Sequence, residues 1–289
     1  MYLWAHYEAC VCGKTSTTIT AYGRVLVLVH DGYKRMRRVL KGIIRFIRDH
    51  GALAFVKFVN RCLRSLTASG HKVQMTLEWG LRPNPEWFDH FIDQHEQWHR
   101  TRIPFPWERG IFNLLAMKPE SKVLELCCGD GFNAHHFYSI RAGSVTSLDF
   151  DPKAIAHARK HFKAPNVTYL LADIRKDLPP GPFDNIIWDA AIEHFTEEEI
   201  ASIIRQIRGR LRDLGTLSGY TLIEEQDHKG HHEHEYEFKS REDLARVLKP
   251  HFKNVLVLQT DYPTRKNLYY FASDAPLPFD PEWQSGLRV

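Results

Sequence analysis

Cysteine is scarce in this chain, and its scarcity bears first on redox setting. Five cysteines (Cys10, Cys12, Cys62, Cys127 and Cys128) occur in 289 residues, an odd number at irregular spacing. A disulfide framework needs paired cysteines, so the pattern fits reduced thiols and a cytoplasmic setting. Cys10-x-Cys12 has no second pair at zinc-site spacing, so no structural zinc site is assigned there. Long apolar runs are also missing: no charge-free stretch reaches the roughly 18 residues that span a bilayer. The opening MYLWAHYEAC lacks a basic patch followed by an apolar core, and does not read as a secretory leader. What is present, 43% hydrophobic and 26% charged residues, is enough to bury a core and excludes wholesale disorder.

Acids are nearly absent from one region. Residues 33–66 hold ten Lys or Arg against Asp49 alone, a net +9 in a chain whose total is +4, which leaves the remainder at −5. The larger part of the chain is therefore not a basic nucleic-acid-binding surface, and no nucleic-acid partner is expected. Met36, Leu40, Ile43 and Ile47 recur at helical steps, with Lys34, Arg38, Lys41, Arg45 and Arg48 on another face. Phe55, Val59, Leu63 and Leu66 follow after Gly51. The spacing predicts two amphipathic helices with a break near Gly51. Either their basic face is simply solvated, or residues 33–66 lie on an anionic membrane surface, which would place the protein at a membrane periphery. Residues 1–32 read as a poorly defined N-terminus in which VLVLV (25–29) is a candidate strand. TASGHK (67–72) reads as a linker that closes the extension, and residues 276–289 as a tail.

Between 73 and 275 the pattern changes. A helix is expected after Asn84-Pro85, through WFDHFIDQHEQWH, and a shorter one at WERGIFNLLAM (107–117). From Lys122 strands and helices alternate, with strands at VLEL, VTSLDF, VTYLLA, FDNIIWDA, TLSGYTLI, NVLVLQT and LYYFAS. Asp151-Pro152, Thr196 with its following glutamates, and Ser240 with Asp243 start three of the helices. Gly215 is expected to end a loop before the fifth strand. Alternation means an α/β fold, a Rossmann-like, seven-stranded and mostly parallel sheet with helices on both faces. The last two strands leave no room for a helix between them, so the last strand is antiparallel.

The first strand runs into CCGDGF, a tight turn entering a helix. G-x-G-x-x-G is missing as such: Gly129 and Gly131 are present, and Ala134 holds the third place. Asp149 ends the second strand, twenty residues after Gly129, where a carboxylate can accept from both ribose hydroxyls. That geometry suits a dinucleotide equally well, so a nucleotide-cofactor oxidoreductase stays open on these residues alone.

The assembled set resembles the class I S-adenosylmethionine-dependent methyltransferases, of the small-molecule type. Glu125 takes the place of the acid in that family's first motif, Cys127 replaces its first glycine, and Gly129 and Gly131 match. Asp173-Ile174 resembles the adenine-edge motif, FDNIIWDAAIEHF (183–195, including Asp189) the fourth-strand motif, and RLRDLGTLSGYT the fifth. The resemblance covers about residues 105–275. It implies S-adenosylmethionine as cofactor, held by Glu125, Cys127, Gly129, Gly131, Asp149, Phe150, Asp173, Ile174 and Asp189. It also implies methyl transfer to an O or N atom of a small-molecule or glycan-type acceptor. A non-catalytic module keeping the fold and docking on a membrane or partner is the rival from another class.

After the fifth strand comes EEQDHKGHHEHEYEF (224–238). Its histidines suit contact with substrate or a general base, a solvated loop, or a metal. A third ligand is not visible within the short run, so no metal set is assigned. His194, His232 and His234 are the candidates for a catalytic base.

Overall fold

The computed structural model describes residues 16–77, 105–176, 178–223, 234–263 and 265–277. The chain divides into two compact units between Gly70 and His71.

In the first unit, α1 (Ser16–Met75) is two helices joined at Gly51, whose backbone is non-helical at φ 78° and ψ 160°. That conformation is open essentially to glycine alone, so the break expected from sequence falls where the chemistry allows it. Phe46 and Phe58 show how sharp it is. Twelve residues of straight helix would set them about 18 Å apart along the axis, yet their ring centroids are 5.8 Å apart. The limbs converge on an apolar seam in which Ile43, Phe46, Ile47, Phe55 and Val59 are half-buried. Two expectations are corrected. VLVLV (25–29) is helical, because a five-residue apolar run carries too little periodicity to separate strand from helix. TASGHK (67–72) continues the helix to Met75, since its one glycine weakens a helix without stopping it. The helix expected through residues 87–99 lies outside the described residues.

The second unit is built on one seven-stranded sheet in the order β3-β2-β1-β4-β5-β7-β6. Its strands are β1 (Lys122–Leu126), β2 (Ser144–Asp149), β3 (Val167–Leu171), β4 (Phe183–Asp189), β5 (Leu211–Ile223), β6 (Asn254–Tyr262) and β7 (Arg265–Ser273). β1 to β5 pair in parallel, and β7 runs antiparallel to both β5 and β6, as the short connection between the last two strands requires. The helices are α2 (Phe105–Leu115), α3 (Phe132–His136), α4 (Pro152–His161), α5 (Glu197–Arg210) and α6 (Arg241–Leu248). Along β1, Leu124 and Leu126 join the core under α5 and α6, while Val123 joins the core under α3 and α4. Both faces of the sheet are thus covered, as a parallel sheet demands.

The helix starts follow their side chains. Asp151 accepts from the Lys153 amide at 2.7 Å with Pro152 at the first helical position. Thr196 and Glu199 form a reciprocal capping box, and Ile200, Ile203, Ile204 and Ile207 recur at helical spacing into the core. Gly215 does not end a loop. It sits inside β5, where the pairing with β4 shifts register between Phe183 and Asn185, and a Cβ there would come 3.1 Å from the Asp184 carbonyl oxygen. The extra residues of that bulge are what a period-two reading cannot count.

Candidate active site

The cleft lies beyond the carboxyl ends of β1, β2 and β4, where ligands bind in open parallel sheets. Its floor is the turn from β1 to α3. Cys127, Gly129 and Gly131 all hold positive φ, at 55°, 53° and 82°. Cys127 thus occupies a left-handed position at the place where the resembled family carries glycine, the backbone being kept at the cost of some strain. Gly131 has no such choice, because a Cβ would stand 2.8 Å from Ala158 Cβ and from the Tyr169 ring. Both half-buried thiols, Cys127 and Cys128, are pushed up by burial and then by the carboxylates around them, which keeps them protonated packing groups.

Asp149 is tied to this turn. Its Oδ2 accepts from the Gly129 amide at 2.8 Å and its Oδ1 from the Asp151 amide at 2.9 Å. The carboxyl is 7% exposed, and burial raises its pKa against the pull of those amides. Each oxygen keeps a second lone pair for a ligand hydroxyl. Phe150 beside it is exposed. Asp173 is half-buried and held by Arg175, whose Nε and Nη2 donate at 2.9 and 3.0 Å; those bonds hold its carboxyl below the usual range. Ile174 is buried in the core under α5, leaving its peptide as the part able to face a ligand.

Under the turn is a small recess lined by Arg109, Glu125, Cys127, Cys128, Asp130, Phe132, Asn133 and Asp189. Glu125 accepts from Ser147 Oγ at 2.6 Å across the β1–β2 pair. Burial outweighs that bond and pushes its pKa up to about 8. Asp189 is clasped by groups that no local motif announces. Arg109 Nε donates to its Oδ2 at 2.6 Å, Asn113 Nδ2 to its Oδ1 at 3.2 Å, and Asn133 Nδ2 to its Oδ2 at 3.1 Å. Burial works against the Arg109 charge, and Asp189 beside it overrides that, so the guanidinium stays charged. Among the described residues, Asn133 Oδ1 is buried and meets no hydrogen-bond donor. The recess therefore offers acceptors, Asn133 Oδ1 with Glu125 and Asp130, to whatever enters it.

Past β4, a 3-10 turn (Ile192–His194) carries Glu193 and His194. Of the three histidines expected from sequence, His194 and His234 are brought together, ring centroids 4.9 Å apart and nearly perpendicular. His232 lies outside the described residues.

A family model described as a methyltransferase domain matches residues 123–215. Over this stretch, about a third of the chain, the sequence is similar to methyltransferase domains. An uncharacterized methyltransferase of Synechocystis sp. is 34% identical over 106 residues, 36% of this chain and 48% of that protein. A ribosomal protein L11 methyltransferase of Burkholderia thailandensis is 37% identical over 73 residues, 25% of this chain and 23% of that protein. The chain thus spans about half or less of the curated relatives it matches. Among solved structures, the N-methyltransferase NodS of Bradyrhizobium japonicum aligns over 58% of this chain and 96% of its own, at 16% identity and a TM-score of 0.48. The matched stretch contains the whole turn, Asp149, Asp173, Asp189, Glu193 and His194. Arg109 and Asn113 precede it, and His234 follows it.

Proposed function

We propose that the chain transfers a methyl group from S-adenosylmethionine to an O or N atom of a small-molecule or glycan-type acceptor. The observation that carries this reading over a dinucleotide oxidoreductase is the acceptor-lined recess. Of the described residues that line it, Arg109 is the one cation and is already bound to Asp189, so it offers a pyrophosphate little, whereas the ammonium of an amino-acid end suits the buried Asn133 Oδ1. Asp149 then takes the ribose hydroxyls, Phe150 lies against the adenine, and Asp173 with the Ile174 peptide receives its edge.

When bound, the cofactor supplies an electrophilic methyl: the acceptor lone pair forms the new bond to carbon while the S–C bond breaks and its electrons stay on sulfur. The thioether leaves without an acid, so the residues of this chain have to position the acceptor and take its proton. His194 and His234, past the tip of β4, are the groups this reading assigns to that proton.

Calorimetry and thermal melting with S-adenosylhomocysteine and with NAD, side by side, test the reading. Binding and a raised Tm are expected with S-adenosylhomocysteine alone. A response to NAD without one to S-adenosylhomocysteine would establish the oxidoreductase instead, and a response to neither would favour a non-catalytic module.

The helical unit supports a second reading, contact with an anionic membrane surface. Met36, Leu40, Ile44, Leu53, Leu63 and Leu66 are each more than half exposed, within the segment that carries a net +9. No helix among the described residues is long and apolar enough to cross a membrane.

A further inference from the structure

Glu193, His194 and His234 each offer a donor atom, and these atoms all lie within 4.8 Å of one another. Two parts of the fold build the cluster. The 3-10 turn after β4 supplies Glu193 and His194 as sequence neighbours. The amides of Glu235 and Tyr236 both donate to the Glu193 carbonyl oxygen, at 2.9 and 3.1 Å, which anchors His234 beside them. Thr221 Oγ1 on β5 donates to Glu193 Oε2 at 3.1 Å and orients the carboxylate from behind. Glu193 is buried, at 4% exposure, while His234 is half-buried and His194 exposed. One side of the cluster is therefore sealed and the other is open.

We propose that Glu193, His194 and His234 bind one divalent ion of the zinc type. Two imidazoles and one carboxylate are the donor set of borderline transition ions, and three protein ligands leave a coordination position for water or substrate. Ligands of a tetrahedral ion at about 2.1 Å from it stand about 3.4 Å apart. The donors thus need to close by roughly an ångström, which small side-chain rotations supply. Thr221 is the kind of supporting group that metal-ligating carboxylates use. A carboxylate as buried as Glu193 also gains from a cation, because an ionised group out of water is costly without one.

Resting on the methyl-transfer reading, and replacing proton removal by His194 or His234, which as ligands would hold the ion instead, the open position faces acceptor chemistry. A hydroxyl oxygen of the acceptor bound there loses its proton to water more readily. Its lone pair then forms the bond to the methyl carbon, and the electrons of the broken S–C bond remain on sulfur. The acceptor class is accordingly a hydroxyl compound able to ligate the ion.

The test uses the full chain, stripped with a chelator and titrated with Co²⁺ while its visible absorption is followed, then with Zn²⁺ to displace it. One equivalent is expected, with the band intensity of a low-coordinate site. Glu193→Gln and His234→Asn should each weaken Co²⁺ binding by more than about tenfold, and His228→Asn with His231→Asn should leave it in place. Far-UV circular dichroism checks folding; if Glu193→Gln does not fold, His234→Asn, on a half-buried side chain, decides. Binding unchanged in His234→Asn, or lost only in the His228/His231 variant, overturns the proposal. S-adenosylhomocysteine binding is measured on the same samples. Its retention without a cobalt spectrum overturns the metal site alone, and a cobalt spectrum without it overturns the methyl-transfer reading while upholding the metal site.

Discussion

Arg109 on α2 and Asp189 at the end of β4 form a buried ion pair behind the cleft, with both Nε and Nη2 of the guanidinium 2.6 Å from Oδ2. The pair ties a helix that precedes the sheet to the tip of its central strand, and Asn113 and Asn133 complete the clasp. Removing one partner leaves the other charge buried without compensation. Arg109→Ala is expected to cost about 3–5 kcal/mol of stability, measured by urea denaturation. Arg109→Met combined with Asp189→Leu should cost clearly less than either change alone. A loss below about 1 kcal/mol for Arg109→Ala would show that the pair does not organise the cleft.

Asp149 tests the ribose contact. Asp149→Ala should weaken S-adenosylhomocysteine binding about 10- to 100-fold, the usual worth of hydrogen bonds to a charged acceptor. Asp149→Asn keeps one acceptor and should fall between the two. Titration calorimetry gives both values, and equal affinity in Asp149→Ala would move the nucleoside elsewhere.

Glu125 makes stability depend on pH. Its folded pKa of about 8 lies above the ordinary 4.5, so the folded state prefers the protonated form. That contribution is complete below about pH 4.5 and is lost as pH rises through 8. Glu125→Gln is neutral throughout and loses nothing. Between pH 5 and 8, wild-type stability should fall relative to Glu125→Gln, with a limiting slope on the order of 1.4 kcal/mol per pH unit. Parallel curves in denaturant titrations at several pH values would refute this.

Two positions of the turn separate backbone need from side-chain space. Cys127 is left-handed but carries a side chain, so Cys127→Gly should keep the fold within about 1 kcal/mol, relieved strain offsetting lost packing and chain entropy. Gly131→Ala brings a Cβ to 2.8 Å from Ala158 and Tyr169 at a φ of 82°, and should cost about 2–4 kcal/mol. Thermal melts of the two variants give the comparison, and a tolerated Gly131→Ala would contradict the packing described.

The helical unit should bind vesicles containing anionic lipid and release them as salt rises, since the Debye length shrinks to about 8 Å at physiological ionic strength. Flotation assays read this directly. Equal recovery with neutral and anionic vesicles would count against a membrane role.

Much of the second unit was legible because its signals are local. Apolar runs mark β1 to β4, and Asp151, Thr196 and Ser240 announce the helices they cap. The glycine turn and Asp149 sit at spacings set by one strand–turn–helix unit. Arg109, Asn113 and Asn133 were missed because their meaning is tertiary: nothing in ERGIFNLL says that its arginine meets an aspartate at the end of the fourth strand. The bulge that absorbs Gly215 was hidden for the same reason, as only β4 defines its register. His234 was legible as a histidine in a dense run, but its neighbour His194 was identified only by its place after β4. Their meeting depends on the amides of Glu235 and Tyr236.

The bend at Gly51 gives the helical segment two opposed responses to ionic strength. A straight helix would spread the ten cations from Lys34 to Arg64 over about 45 Å, whereas converging limbs crowd them together with Asp49 as the one acid of residues 33–66. Added electrolyte quiets that mutual repulsion and so strengthens the folded limbs, while the same ions loosen their grip on any polyanionic surface. Cohesion and adhesion in this segment are therefore adversaries, and dilution favours the second at the expense of the first.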